Sequence, residues 1–293
     1  MILGVDFAAM DGNKPVDWKA AFAAGVRFAI LRASYSTAPD QTFSREAPRA
    51  RAAGIVVGPY VFPIQGRDLR GQLDAAQRSI GPVLDGDLNV AIDVEYPHGL
   101  VAAARASALR GVLDTIHMVG ERFGAPPILY TSERVWDGED ADSLDADASG
   151  IDQQFAAECA PWLARYPFRA RQPPMTEAQI NSTPWPAVPK AMGVGDVWIH
   201  QIQGDALGLP GFSSTVDINR FRPMVIGERG TRVSWVQRRI GQVEGTPGVF
   251  DAAMAESVKE FQRLGGLLPD GVIGLKTFVR LTHQPQIPTA RLA

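Results

Sequence analysis

Short apolar runs, each closed by turn residues, recur through the first three quarters of this 293-residue chain. They read ILGVD (2–6), RFAILRAS (27–34), GIVVGPYVF (54–62), VAIDVE (90–95), PILYTS (127–132), PWLARY (161–166), VWIHQI (197–202) and TVDIN (215–219). Runs this continuous fit a parallel sheet covered on both faces better than the apolar–polar alternation of a half-exposed antiparallel one. Between them lie stretches of helical spacing such as VDWKAAFAAG, LRGQLDAAQRSIGPVL and ARASALRGVLDTIHMVGERFG. The last places Leu109, Leu113, Ile116 and Val119 along one stripe. Eight strand–helix alternations over about 220 residues are the arithmetic of a (β/α)8-like barrel, an α/β fold. The later part is less regular. Residues 133–160 include the acidic run DGEDADSLDADASGID and residues 167–196 are rich in Pro, so loops are expected to replace some outer helices. The acidic run misses the spacing of a calcium-binding loop and reads as a solvated segment.

After Phe221 the pattern changes. RPMVIGERG reads as a linker, followed by three short helices, VSWVQRRIGQ, AAMAESVKEFQRLG and LKTFVRLT, with the turns GTPGVFD and LLPDGVIG between them. The expected division is a catalytic barrel over 1–222, a linker over 223–230, a small all-α module over 231–286 and a tail over 287–293. A module of that size is marginal but viable alone.

Composition narrows the partners. Hydrophobic residues make up 45% of the chain, charged residues 21%, and the net charge is -3, which gives no electrostatic case for nucleic acid or an anionic membrane. Residues 223–293 carry 9 basic and 6 acidic side chains, a net +3, which leaves -6 on the first 222. No apolar run is long enough for membrane insertion, and the N-terminus MILGVDFAAMDGNK lacks the basic start of an export signal. Production in a cytoplasm is therefore expected. The single Cys159 rules out an internal disulfide and reads as a buried thiol, not a nucleophile. The expected state is a monomer.

The candidate chemistry lies in carboxylates at strand ends. Asp93 and Glu95 stand two apart at the end of the fourth strand, so they face the same side. Asp6 ends the first strand and Asp217 lies on the eighth. In a barrel the strand ends open on one mouth, where all four would converge. Convergent acids repel, which raises at least one pKa and keeps a proton on that group. A protonated acid beside an ionised one is the equipment for cleaving a glycosidic bond. A divalent-metal site is the competing reading, but His98 and His200 show no metal-ligand spacing, so metal-free and cofactor-free hydrolysis is favoured. Tyr35, Tyr60, Phe62, Tyr96, Tyr130 and Trp198 also gather near strand ends, where exposed rings suit the apolar faces of sugars.

With these residues in view, the chain from Ile2 to about Arg222 resembles the family 25 glycoside hydrolases. The ordered motifs GVDFA, FAILRAS, AGIVVGPYVF, AIDVE, PPILYTS, PWLARY and VDINRF carry the likeness. The family comprises muramidase-type lysozymes that cut the β-1,4 bond between N-acetylmuramic acid and N-acetylglucosamine. The resemblance implies Glu95 as general acid/base and Asp93 either as its carboxylate partner or as the group that positions the substrate N-acetyl. Asp6 and Asp217 would orient substrate or tune Glu95. It also implies a substrate-binding role for Gln201, which sits where the family commonly reads Trp-Gln-Tyr and this chain reads His200-Gln201-Ile202. Where the family commonly has Tyr-His-Phe, this chain has Tyr60-Val61-Phe62. Chitinase-like barrels want another Asp two places before Asp93, where this chain has Ala91. The tail resembles the three-helix peptidoglycan-binding module in VQRRIG and SVKEFQRLGGLLPDGVIGLKTFVRL.

Together these imply bacterial peptidoglycan as the partner and a wall hydrolase whose C-terminal module raises its local concentration on an insoluble substrate. Phage endolysin, virion lysozyme and injected effector share that chemistry; the missing export signal points to an endolysin, stored in the infected cell and released to the wall. The rival class is a wall-binding protein with a lectin-like barrel. Independent modules would let residues 223–293 be removed with loss of adsorption alone.

Overall fold

The computed structural model describes residues 1–64, 67–95, 102–132, 135, 159–167, 171–188, 192, 196–241 and 245–284, with side chains from 111 onward in the helix that begins at 102. Each of the eight apolar runs forms a strand. They are β1 (Ile2–Phe7), β2 (Val26–Tyr35), β4 (Val56–Phe62), β5 (Ala91–Asp93), β6 (Ile128–Ser132), β7 (Ala160–Ala164), β8 (Ile199–Ala206) and β9 (Val216–Phe221); a two-residue β3 (Ala38–Pro39) flanks β2. The sheet closes through the β1–β2 pairing, so the eight long strands form a barrel. Helices α1 (Trp18–Ala23), α2 (Gln41–Ala52), α3 (Leu69–Ile80) and α4 (Ala102–Phe123) follow the early strands, while the only helix described between β7 and β8 is the short α5 (Glu177–Ser182).

One strand departs from the expected parallel barrel. β9 runs antiparallel to both β8 and β1. The cause is the length of its connection. Nine residues separate Ala206 from Val216, whereas a crossover that restores parallel direction takes a dozen or more. The chain instead turns straight back, and Asp217 lies at the start of its strand, not the end. The reversal still delivers it to the expected rim, opposite Asp6 in register.

Alternation divides the strand side chains into two layers. Val5, Phe7, Ala29, Leu31, Val57, Ile92, Leu129, Leu163 and Ile218 face the helices. Phe28, Ile30, Tyr60, Ala91, Ile128, Tyr130, Trp162, Ile199 and Phe221 belong to the inner cluster. Gly4 pairs with Phe28, and a Cβ at Gly4 would stand 2.2 Å from the Phe28 ring, so a glycine here lets a phenyl group fill the barrel.

The inner cluster does not stop at the barrel floor. It continues into Val233, Trp235, Val236, Met254, Phe278 and Leu281 of the C-terminal helices α6 (Thr231–Ile240), α7 (Ala252–Leu264) and α8 (Leu275–Thr282). Trp198, just before β8, stacks on Phe278 with ring centroids 4.6 Å apart and lies 5.2 Å from Trp235. Buried Arg232 donates to the backbone carbonyls of Val197, Arg222 and Pro223, and its guanidinium lies 4.5 Å from the Trp198 ring centroid. At the other side the Asn89 backbone N–H donates to Thr282 Oγ1, and a His283 ring nitrogen lies 2.7 Å from the Asp87 carbonyl oxygen. The segment expected as a linker is itself packed: Met224 is fully buried and forms a bridge with Ile273. The module is thus built into the floor of the barrel.

Candidate active site

The opposite end of the barrel holds the acids. Asp6 lies one residue before the end of β1, Asp93 ends β5 and Glu95 follows two residues later on the same side; Asp217 enters from β9. Asp6 and Asp93 are buried, and Glu95 and Asp217 are half-buried. Burial is the main force on all four, because a carboxylate charge is poorly solvated there. It pushes the carboxyl of Asp93 well above the usual range, and the charges of Glu95, Asp6 and Asp217 push it the same way. Glu95 is raised by burial and drawn partly back by a hydrogen bond from the Tyr130 hydroxyl. Asp6 and Asp217 are also raised by burial and, in Asp217, by the charge of Asp6. Adjacent strand partners of like charge cannot both ionise cheaply, so the mouth holds protons at neutrality.

An amide network ties these acids together. Gln201 Nε2 donates to Asp6 Oδ1 at 2.7 Å and to Asp217 Oδ2 at 3.1 Å, while its Oε1 accepts from the hydroxyls of Tyr130 (2.7 Å) and Tyr166. Asn219 Nδ2 donates to Asp6 Oδ1 at 2.6 Å, and its own oxygen accepts from Trp162 Nε1 at 2.8 Å. The Asp205 amide, on a residue with φ of 50°, donates to Asp217 Oδ1 at 2.7 Å. Asp93 Oδ1 is buried without a protein partner. Arg32 brings a cation to the same rim; Asp40 Oδ2 accepts from its Nε at 2.7 Å, and its charge opposes the rise in the pKa of Asp93.

This donor set suits protons better than a divalent ion. Two side-chain amides aim N–H groups at Asp6, where a cation would meet positive dipoles. Among the described residues no group of three or more His, Cys, Asp or Glu side chains has the arrangement of a metal site.

The aromatic candidates separate by position. Tyr35 is 45% exposed on the rim, 4.9 Å from the Phe62 ring. Tyr60 is buried, with its hydroxyl raised by burial and by the charges of Asp93 and Asp6. Tyr130 packs 4.5 Å from Trp162. Tyr96 lies outside the described residues, as do His98 and all of the acidic run. Trp198 requires correction: it precedes β8 at the barrel floor, is 1% exposed, and packs on the C-terminal helices, at the end opposite the acids. Gln201 also changes role. It is 1% exposed and both ends of its amide are filled by protein groups, so it positions the acids and has no capacity left for substrate.

Four neighbours of the acids lay outside the sequence reading. Tyr166 follows β7 as Tyr130 sits on β6, so the strand-end criterion applied evenly would have included it. Arg32 shares the inward parity of Phe28 and Ile30, and Asn219 that of Asp217. Trp162 carried no signal beyond an inward position.

Comparisons with known proteins agree with this geometry. Glycosyl hydrolases family 25 matches residues 5–186, more than half of the 293-residue chain, and a peptidoglycan binding domain matches residues 229–281. Among solved structures, a bacterial lysozyme from Streptomyces coelicolor superposes with a TM-score of 0.58 at 20% identity, covering 75% of this chain and 92% of that one. A muramidase from Acremonium alcalophilum gives 0.57 at 21% identity, covering 76% and 94%. The catalytic domain of an endolysin from a bacteriophage of Listeria monocytogenes gives 0.52 at 16% identity, covering 76% and 93%. At these identities the structures establish a shared fold. No curated protein matches the chain. The extent of the family match and the barrel bearing its acids at one mouth place the chain in family 25 of the glycosyl hydrolases, as a peptidoglycan hydrolase with a C-terminal peptidoglycan-binding domain.

Proposed function

We propose that the protein is an N-acetylmuramidase in which Glu95 is the general acid/base and Asp93 orients the substrate. The observation that carries this reading is the pairing of a half-buried Glu95, its pKa raised by burial, with a buried Asp93 whose Oδ1 has no protein partner. Glu95 delivers its proton to the glycosidic oxygen as the bond from the anomeric carbon breaks. The acetamido oxygen of the same sugar forms the new bond to that carbon, and Asp93 Oδ1 accepts the acetamido N–H. Water then attacks the anomeric carbon, its proton returns to Glu95, and the acetamido group is released. Asp6, Asp217 and Gln201 hold the surrounding protons and hydrogen bonds fixed, so little reorganisation is needed as charge develops. Tyr35 and Phe62 offer a stacking edge for the glycan.

The protein acts on the bacterial cell wall. Among the described residues no helix is long and apolar enough to cross a membrane. In this reading it is a phage endolysin, monomeric, accumulated in the infected cell and released to the wall at lysis.

Purified walls treated with wild type should lose turbidity and yield muramic acid at the new reducing ends by mass spectrometry. Glu95→Gln should slow clearing about 100-fold or more. Glucosamine ends, cut peptides, or equal clearing by the variant would overturn the assignment.

A further inference from the structure

The two wall-directed parts of the molecule point away from each other. The acids open at one end of the barrel, and the binding module is packed into the other. β1 runs from Ile2 at the floor to Phe7 at the rim, a height on the order of 15–20 Å. The helices below add about 10 Å more. The docking leaves no swing. Trp198 is stacked on Phe278, Arg232 is fastened to three backbone carbonyls, and Met224 is paired with Ile273 across the junction. What remains free to meet the wall is the module's outer surface, where Leu264 and Leu268 are 76% and 77% exposed.

A flexible tether would let both parts engage one glycan strand and gain from a high effective concentration. That gain falls to nothing when the geometry cannot span the two sites on a single ligand. A strand lying across the acid mouth would have to leave it and turn down the full side of the barrel to reach the module. We propose that the protein engages two strands at once, gripping one through the C-terminal module and cutting a neighbour at the acid mouth. The partner of the module is therefore a second glycan strand with its stem peptides, as a layered wall supplies. This inference rests on the wall-hydrolase reading above.

The test uses the full-length Glu95→Gln protein as an inert trap with soluble, uncrosslinked glycan strands carrying stem peptides. With strands in excess, sedimentation velocity should show complexes of two strands per protein. At comparable concentrations, light scattering should rise as strands are bridged, and short disaccharide-peptides that fill the mouth should reverse the rise. The protein alone, run in parallel, identifies any contribution from self-association. One strand per protein at saturation, with no growth in scattering, would overturn the proposal. So would failure of the trap to bind strands that wild type still cuts. If wild type leaves the same strands uncut, the hydrolase reading itself fails, and the two failures are told apart.

Discussion

Glu95 and Tyr130 form the pair on which the chemistry turns. The Tyr130 hydroxyl has one hydrogen and two claimants, Gln201 Oε1 at 2.7 Å and the Glu95 carboxylate. While Glu95 is protonated, that hydrogen can rest on Gln201; once Glu95 ionises, donation to Glu95 stabilises the charge. Tyr130→Phe removes the lowering influence and leaves burial to raise Glu95 unopposed. A general acid works only while protonated, so a higher pKa keeps it competent to higher pH. The alkaline limb of the kcat/KM profile should move upward in Tyr130→Phe, although the rate at the optimum falls with the lost orientation. A downward or unmoved limb would detach Tyr130 from the acid. At this scale the sequence was informative about the acids, because spacing by two on a strand end places Asp93 and Glu95 on one side whatever surrounds them. It pointed Gln201 at substrate, whereas its structural role arises from four partners spread over β1, β6, β9 and the segment after β7. Contacts between residues so far apart leave no local pattern.

Among the elements, continuous apolar runs marked every strand of the barrel because both faces of each strand are covered. Their direction was another matter. Hydrophobicity carries no sign of polarity, and the clue to the reversed β9 was the short stretch after Ala206. Trp198 shows a related limit: an aromatic beside a strand looks alike in sequence at the floor and at the rim, and only the direction of β8 puts it at the floor. Within the barrel, Gly4 is only one residue of the run ILGVD in sequence, and the structure gives it a packing role opposite Phe28. Gly4→Ala should force the phenyl ring or a strand to shift and cost about 1–3 kcal/mol, read as a lower urea midpoint with unchanged slope. Phe28→Leu in the same chain should recover part of that loss, since the smaller side chain yields the space. Additive losses in the double variant would show that the two positions do not compete for the same volume.

For the whole molecule, the composition change after Phe221 marked a second unit correctly in kind but not in its attachment. The helices supply Trp235, Phe278 and Leu281 to a cluster that also holds Phe28, Ile128 and Phe221 of the barrel. Removing residues 223–293 would expose the Trp198 and Phe221 rings and strip the Thr282 and His283 partners from Asn89 and Asp87. It would also loosen the floor ends of β8 and β9, the strands that carry Gln201, Asp217 and Asn219 to the mouth. Deletion should therefore cost cleavage of short soluble glycans along with adsorption. Because a deletion can fail for trivial reasons, Phe278→Ala in the full chain is the sharper probe. A buried Phe→Ala change costs about 3–5 kcal/mol, and the question is which part of the molecule bears it. With a tethered module, calorimetry would show two transitions, and only the smaller, C-terminal one would move. With a shared core, wild type unfolds in one cooperative transition, and Phe278→Ala lowers the temperature of the whole, including the loss of activity on soluble substrate during heating. A barrel transition indifferent to Phe278 would mean that the aromatic floor is a contact without consequence.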